Sequence, residues 1–322
     1  MKTTKIGFLG TGDISALHAA GVAACPAAEL VGVWNLCAEV GREKAAAFGC
    51  RFYDSAETLL ADPEIDAVFV LTNLETHREY TLMALEAGKH VLVEKPAAGS
   101  VSEIEEMRQA AAAADRICVP VHNYLYEDSV IRTRELLDSG KLGRLVAINV
   151  LYNIHHPEHV AARYPGVIRQ ILTHHSYITL YLGGAPKRVM AMASTINDGS
   201  VEQENLAMAT LELEGGALAH LQASFAADDH SSDNSTFAIK LIGTKGATNF
   251  SHANWVQNEA SVVHSHTYSA YHYSIRNTDR HFVERCLRNG DAPLSTLEDA
   301  ITCQRIIEAI EQSVRTGSTV PL

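Results

Sequence analysis

The residues with the clearest chemical potential are Glu94-Lys95-Pro96, which directly follow an apolar run at residues 90–93. If that run is a parallel strand, Lys95 lies at its carboxyl end, in the crevice where ligands bind in open α/β sheets. Pro96 restricts the backbone beside the lysine, and burial would lower the pKa of the ammonium towards neutrality. Lys95 could then give a proton to a substrate oxygen or take one from it. The alternative, an ordinary surface lysine after a strand, is common for an isolated motif.

A second candidate site is the glycine-rich turn Gly10-Thr11-Gly12-Asp13-Ile14-Ser15, which joins an apolar run at residues 6–9 to an amphipathic stretch. The first glycine permits a tight turn, and the second lets the backbone approach a pyrophosphate. The N-terminus of the following helix offers free N–H groups and a positive dipole end. Ser15 takes the third glycine position and is small enough for close packing. An ordinary turn is the alternative, but the place directly after an N-terminal strand favours dinucleotide binding.

The end of the second predicted strand bears on which dinucleotide binds. Many NAD-binding folds have an acidic residue there, which holds the ribose hydroxyls and repels a 2′-phosphate. Asn35 stands at this position, so the ribose can still be hydrogen-bonded but no charge excludes NADP. No arginine follows at positions 36 or 37 to bind a phosphate, and Arg42 and Lys44, which come later, are interpreted as a solvated helix face. The predicted cofactor is therefore NAD, with NADP not excluded.

The hydrophobic pattern of the first 120 residues predicts the elements that position these residues. Short apolar runs alternate with amphipathic stretches, which is typical of a parallel sheet covered by helices on both faces. The predicted strands are residues 6–9, 30–34, 67–71, 90–93 and 117–120. The predicted helices are residues 14–24, 38–48, 55–60, 75–87 and 101–114.

After Val121 the pattern changes to consecutive strands joined by short turns, which indicates an α+β domain. Its predicted strands are residues 144–152, 188–194, 205–212, 217–224, 236–242 and 246–250, and its predicted helices are 129–139, 167–182, 278–288 and 296–315. We therefore predict an α/β protein with two domains. Residues 1–121 form a dinucleotide-binding Rossmann domain with a doubly wound parallel sheet. Residues 122–322 form a substrate-binding and oligomerisation domain on a large, mostly antiparallel open sheet.

Composition narrows the class of partner. The chain has 322 residues, a formal net charge of -12 and no basic run, which argues against a nucleic-acid surface. No apolar stretch approaches the length of a membrane span, and no signal-peptide pattern precedes the first strand. The six cysteines are scattered without a paired spacing. We expect reduced thiols in a cytoplasmic protein that binds neither membranes nor nucleic acid.

Taken together, these motifs resemble the Gfo/Idh/MocA family of oxidoreductases (glucose-fructose oxidoreductase and inositol dehydrogenase-like) over nearly the whole chain. The resemblance is carried by the glycine-rich turn with His18, and by the segments at residues 71–77, 87–96 and 140–145. It implies that the cofactor is lined by Thr72, Asn73, Leu74 and His77, and that Glu94, Lys95 and Asn123 lie by the nicotinamide. It also implies a homodimer or homotetramer that assembles through the C-terminal sheet.

One segment departs from the family pattern. The family typically has an Asp and a His four residues apart on a helix that faces the substrate, and these positions correspond to Gln170 and His174. His174 fits a general acid or base, because its reference pKa lies near neutrality. Gln170 can position a substrate by hydrogen bonds but cannot take a proton, so the usual Lys–Asp–His arrangement is incomplete. A buried, hydrogen-bonded helix residue is the alternative for His174.

The region around this helix is rich in side chains that suit a polyhydroxylated ligand. Together with Lys95, Gln170 and His174, the predicted substrate-binding residues are Tyr126, Tyr152, Arg163 and His175. The histidines at 155, 156 and 159, with 174 and 175, could in principle bind a metal. Their spacing closes no recognisable site, so we predict no metal and a metal-independent substrate site.

The leading hypothesis is an NAD(P)-dependent dehydrogenase or reductase that interconverts a secondary alcohol and a ketone on a sugar, cyclitol or related polyol. Lys95, helped by His174, would handle the hydroxyl proton. A second hypothesis is a glycosidase- or lyase-type enzyme in which tightly bound NAD oxidises the sugar only transiently. A third is a catalytically silent protein that senses a dinucleotide or sugar and regulates a partner.

Overall fold

The computed structural model describes residues 3–156, 158–196, 202–226, 235–251, 255–257, 262–264 and 270–322. The chain divides into two compact units. The first comprises Met1–Tyr126 and Tyr271–Ile301, and the second comprises Glu127–Ala270 and Thr302–Leu322. Residues 271–301 thus return to the first unit, a feature that the order of predicted strands and helices does not indicate.

The first unit is built on a six-stranded sheet with the order β3-β2-β1-β4-β5-β6, in which every neighbouring pair is parallel. Its strands are β1 (Thr4–Leu9), β2 (Ala28–Trp34), β3 (Arg51–Phe52), β4 (Ala67–Val70), β5 (His90–Val93) and β6 (Cys118–Pro120). The helices between them are α1 (Ser15–Ala23), α2 (Ala38–Phe48), α3 (Ala56–Leu60), α4 (Leu74–Glu86) and α5 (Val101–Ala114). This strand order is that of a Rossmann fold, so the prediction is confirmed.

Alternate residues of the central strands enter two separate cores, one on each face of the sheet. Phe8 and Phe69 stack at a centroid distance of 5.3 Å in one core, while Leu9 and Val68 lie in the other. The returning segment contributes to both cores. This explains why the strands are apolar at nearly every position, since neither face meets solvent.

The second unit is built on a seven-stranded sheet with the order β12-β11-β7-β10-β9-β8-β15. Its strands are β7 (Leu145–Ile154), β8 (Pro186–Ser194), β9 (Leu206–Leu213), β10 (Leu218–Ser224), β11 (Ser235–Gly243), β12 (Ala247–Ser251) and β15 (Val320–Pro321). A separate hairpin pairs β13 (Trp255–Gln257) with β14 (Val262–His264). The pair β7–β10 is parallel and the other pairs of the seven-stranded sheet are antiparallel, which confirms the predicted mostly antiparallel sheet.

The helices of the remaining chain include two π-helical segments that periodicity does not predict. The α-helices of this part are α6 (Asp128–Asp138), α7 (Glu158–Ala161), α8 (Thr173–Gly183), α9 (Ala270–Arg280) and α10 (Leu297–Thr316). A π-helical turn at Ile168–Leu172 leads into α8, and another at His281–Leu287 continues α9. Such turns often occur at functional sites. In the described part of the chain, no helix combines the length and apolarity needed to span a bilayer.

Candidate active site

The turn after β1 has the two glycine environments that pyrophosphate binding requires. Gly10 has φ +95°, and a Cβ there would lie 2.7 Å from the carbonyl oxygen of Leu71, so no other residue fits without strain. A Cβ at Gly12 would meet nothing within 4 Å, so the space beside it is open. Ser15 closes the turn by donating from its hydroxyl to the Gly12 carbonyl at 2.6 Å. The loop therefore fits a dinucleotide at the N-terminus of α1.

Asn35, just after β2, connects this turn to the start of α2. Its side-chain amide donates to the Thr11 hydroxyl at 2.7 Å, and its carbonyl oxygen accepts from the Cys37 backbone N–H at 2.8 Å. Arg42 is engaged elsewhere, because it pairs with Asp54 and lies 4.4 Å from the centre of the Phe52 ring. The end of β2 therefore presents an uncharged amide beside the glycine turn.

The segment after β4 is tied to the Glu-Lys-Pro element by His77. One ring nitrogen of His77 lies 2.8 Å from the carbonyl oxygen of Pro96, and the other lies 2.9 Å from the carbonyl oxygen of Thr72. His77 is only 2% exposed, whereas Asn73 is exposed and Leu74 is half-buried. The geometry supports a structural role for His77. That Thr72, Asn73, Leu74 and His77 contact the cofactor stays a prediction.

Lys95 is buried at the carboxyl end of β5, as its sequence position predicts. Burial lowers the pKa of its ammonium to about 8, although the neighbouring Glu94 carboxylate acts in the opposite direction. The same Glu94 accepts a hydrogen bond from the Lys95 backbone N–H at 2.9 Å. Lys95 can therefore exist with or without its proton near neutral pH, which is what a general acid or base requires.

Two buried polar residues, His122 and Asn123, follow β6. His122 is 1% exposed and shares a hydrogen bond of 2.6 Å with the Ser295 hydroxyl. Burial and the charge of Lys95 lower the pKa of His122 to about 3, so its ring is neutral. Asn123, also buried, donates to the Ser274 hydroxyl at 2.7 Å. Both contacts join the segment directly after β6 to residues 271–301, the returning segment that was predicted to belong to the second domain.

In the second unit, the π-helical turn and the first turn of α8 carry Gln170 and His174. The Glu204 carboxylate accepts from the Ile168 backbone N–H at 3.1 Å and so caps the start of this helix. His174 is 2% exposed, and its Nδ1 shares a hydrogen bond of 2.7 Å with the Tyr177 hydroxyl. The ring of Tyr152 lies 6.3 Å from the His174 ring. His174 is thus held in one orientation by neighbouring aromatic side chains.

The other predicted substrate residues have different environments. Tyr126 belongs to the first unit, where it lies 5.1 Å from the ring of His281. Arg163 is exposed. His175 is fully buried, and burial lowers its pKa to about 3. Within the described ranges, no group of three or more His, Cys, Asp or Glu side chains is placed to hold a metal ion.

No individual role was predicted from the sequence for Tyr177 of the second unit or for Asp279 of the first unit. Asp279 lies on the buried side of the returning helix, four residues after Ile275 and three before Phe282. A carboxylate at an apolar position of an amphipathic helix is the signal that could have identified it.

Comparison with known proteins identifies both halves of the chain. Residues 4–122 match the model of the oxidoreductase family with an NAD-binding Rossmann fold (GFO_IDH_MocA), and residues 130–249 match the GFO/IDH/MocA C-terminal domain. The 1,5-anhydro-D-fructose reductase of Ensifer adhaerens is 29% identical over 228 residues, which cover 68% of this chain and 68% of the relative.

Two further relatives extend the comparison. The NADP(+)-dependent scyllo-inositol 2-dehydrogenase of Bacillus subtilis is 31% identical over 161 residues, 47% of this chain and 45% of the relative. The crystal structure of a probable dehydrogenase from Thermotoga maritima superposes with a TM-score of 0.89 at 21% identity and covers 98% of each chain. That superposition supports the fold, with its parallel sheet and its mostly antiparallel sheet.

Proposed function

This chain belongs to the Gfo/Idh/MocA family of oxidoreductases with an NAD-binding Rossmann domain, and we propose on that basis that it interconverts a secondary alcohol and a ketone on a sugar or cyclitol. It is an NAD(P)-dependent oxidoreductase whose relatives act on sugars and cyclitols. The observation that carries the proposal is the buried Lys95 at the end of β5, with a pKa lowered by burial to about 8.

Lys95 is the proposed proton-handling group. When bound, NAD supplies the hydride-accepting or hydride-donating group. In the oxidation direction, the neutral amine of Lys95 takes the hydroxyl proton of the substrate, and in the reduction direction its ammonium returns a proton to the ketone oxygen. A pKa of about 8 leaves both forms available near neutral pH.

In the second unit, His174 is the proposed partner of Lys95 in proton handling, and Gln170 is the proposed substrate-orienting residue. The Tyr177 hydroxyl holds the His174 ring through Nδ1, which fixes the direction of the opposite nitrogen. Gln170 offers an amide that can donate to and accept from substrate hydroxyls, but it cannot take a proton. Proton transfer therefore falls to Lys95 and His174, with Gln170 acting in recognition.

The test of the proposed activity is a panel of sugars and cyclitols incubated with the enzyme and NAD or NADP. We expect NADH or NADPH absorbance to appear with at least one cyclic polyol, and the corresponding ketone to be recovered. Product formation without released NADH, from a protein that copurifies with NAD, would instead indicate transient oxidation. No turnover across the panel in either direction would contradict the proposal.

Cofactor choice is predicted to depend on Asn35. An Asn35→Asp variant keeps the acceptor for the Cys37 N–H and can accept from the Thr11 hydroxyl, but its charge repels a 2′-phosphate. We expect NADPH affinity to fall by about tenfold or more while NADH affinity changes little. Fluorescence titration measures both constants. An Arg42→Gln variant is the control, because Arg42 is paired with Asp54 and should not affect NADPH. Equal loss of both dinucleotides in Asn35→Asp would contradict the assignment.

We also propose that the protein forms a homodimer or homotetramer through the outer face of the seven-stranded sheet. Large apolar side chains on β8, β9 and β10 are exposed there, namely Met190, Met192, Met208 and Leu218. The intervening residues of β8, Val189 and Ala191, are buried on the opposite face. A contiguous exposed apolar face of this kind is typical of subunit contacts.

A Met190→Lys, Met192→Lys double variant is expected to convert the oligomer to a monomer, because two charges would be buried at the contact. Light scattering after size exclusion measures the mass. Val40→Lys places a charge on a 39% exposed apolar residue of α2 in the other unit and serves as the control. The proposal is wrong if the wild-type protein is already monomeric or if the double variant keeps its mass.

A further inference from the structure

A buried imidazole links the returning segment of the chain to the Glu-Lys-Pro element. His18, on α1, is fully buried. Its Nδ1 lies 2.8 Å from Oδ1 of Asp279, and its Nε2 lies 3.2 Å from Oε1 of Glu94. The two carboxylates therefore stand at opposite ends of one ring, one from α9 and one from the end of β5.

This arrangement determines the charge of the ring. Burial alone would lower the pKa of His18, but Asp279 and Glu94 together raise it to about 10. At neutral pH His18 is therefore an imidazolium that donates one hydrogen bond to each carboxylate. Glu94 in turn stays ionised: burial opposes its charge, but the hydrogen bond and charge of His18 keep its pKa below the usual range.

Of His18, Glu94 and Asp279, Asp279 is the residue whose charged form is least favoured. It is 1% exposed, and burial raises its pKa to about 6 in spite of His18. Its second oxygen, Oδ2, has no hydrogen-bond partner in the described structure. A Cβ at Gly21 would lie 2.2 Å from that oxygen, so the glycine on α1 is what leaves room for the carboxylate.

Such a buried charge cluster is costly for stability. Well-packed apolar residues usually stabilise a core as well as a buried ion pair does, so stability alone is weak grounds for keeping one. The cluster ends at the proposed proton-handling residue, because the second Glu94 oxygen accepts from the Lys95 backbone N–H at 2.9 Å. The cluster thus links α1, α9 and the end of β5 to the position of Lys95.

We propose that His18 and Asp279 are positioning residues for Lys95: Asp279 holds the His18 ring as an imidazolium, and that ring fixes the Glu94 carboxylate against the Lys95 backbone. This inference rests on the proposed function of Lys95. Asp279 itself is distant in sequence from every motif that brings Lys95 to notice, and it acts through two intervening side chains.

The charges facing each group give the direction of the expected effect. Lys95 faces Glu94, directly after β5, and the neutral His122 after β6, while His18 faces Glu94 and Asp279. Since His18 lies between the two carboxylates, its positive charge is nearer to Glu94 than the Asp279 charge is. Removing the Asp279 charge favours loss of the His18 proton, so Glu94 would act on Lys95 without compensation and raise its pKa.

The first test is an Asp279→Asn variant, which keeps the shape of the side chain but removes its charge. We expect kcat to fall by about tenfold or more, with the dissociation constant of NADH within about twofold of wild type. The pH at which kcat/KM for oxidation is half-maximal should move upward. Glu284→Gln, which removes a carboxylate from the π-helical turn after α9, is the control and should change none of these values.

The second test is nitrogen NMR of the His18 ring, which needs no substrate. We expect both ring nitrogens to be protonated at neutral pH in the wild type and one to lose its proton in Asp279→Asn. If Asp279→Asn does not fold, Gly21→Ala displaces the carboxylate without removing its charge and should give the same changes in smaller measure. A neutral His18 in the wild type overturns the proposal, as does an unchanged kcat and pH profile in a folded variant.

A Lys95→Met variant separates this inference from the proposed function. If Lys95→Met is inactive but Asp279→Asn behaves as wild type, the positioning role is wrong and the role of Lys95 stands. If Lys95→Met keeps full activity, the proposed function of Lys95 is wrong, whatever the NMR of His18 shows.

Discussion

Replacing Lys95 with methionine is expected to lower kcat by about three orders of magnitude, within the usual range for loss of a general acid or base. Methionine has a similar length and no charge, so it fills the same buried space. NADH affinity should change little, because the glycine turn and Asn35 are untouched. Steady-state kinetics with the best polyol of the panel and a fluorescence titration with NADH measure the two effects.

The pH dependence follows from the pKa of Lys95. At its usual value of 10.5 the ammonium would lose its proton far above neutrality, but burial lowers the pKa to about 8. About one-tenth of the enzyme then carries the neutral amine at pH 7, and most of it does above pH 9. Oxidation should therefore accelerate as pH rises through about 8, and ketone reduction should slow over the same range.

Lys89→Met is a matched control for this prediction. Lys89 is also a buried lysine whose pKa is lowered by burial, but it donates to the carbonyl oxygens of Asp62 and Ile65. We expect its replacement to lower the unfolding temperature and to leave kcat and its pH profile unchanged. A comparable loss of kcat in both variants would mean that the effect of Lys95 is structural.

Replacing His174 with asparagine is expected to lower kcat by roughly one hundredfold. Asparagine can still form one hydrogen bond, but it cannot exchange a proton near neutral pH. Tyr177→Phe removes only the hydroxyl that holds the His174 Nδ1, so we expect a smaller loss of roughly tenfold. Stopped-flow measurement of the first turnover distinguishes slower chemistry from slower product release.

His220→Asn is the control for that series, since His220 lies on β10 and contacts only the Thr210 hydroxyl, at 3.4 Å, among its described hydrogen bonds. If Lys95 and His174 serve one proton transfer, the double variant should lose much less than the product of the two single losses. Full additivity would show that the two residues act in separate steps. An unchanged kcat in His174→Asn would leave Lys95 as the proton carrier and refute the catalytic role of His174.

Much of the fold could be predicted because its helices and all but the shortest of its strands are strongly patterned. Apolar runs such as Val91–Val93 on β5 lie between two helical layers, and this produces a continuous signal in the sequence. β3 and the 3₁₀ turn at Asn123–Tyr126 were missed, since two to four residues are too few to show a period. The π-helical turn before α8 was read as ordinary helix, because one inserted residue barely changes the pattern.

Some residues of the candidate site could likewise be predicted from the local order of the sequence, and others could not. Gly10 and Lys95 could be placed because each directly follows a strand, and the carboxyl end of a parallel strand faces the ligand crevice. Gln170 and His174 were found through the family resemblance rather than through their spacing. Arg163 was included for its chemistry alone, and it is exposed.

The sequence by itself determined the cofactor domain, the family and the lysine that carries the proposed chemistry, since these depend on local order along the chain. Only the tertiary structure decided the charge state of that region. The contact between His18 and Asp279 joins residues 261 positions apart, and the pKa of each depends on the loss of water around both. Burial and long-range pairing arise only when the chain folds, so no pattern along the sequence contains them.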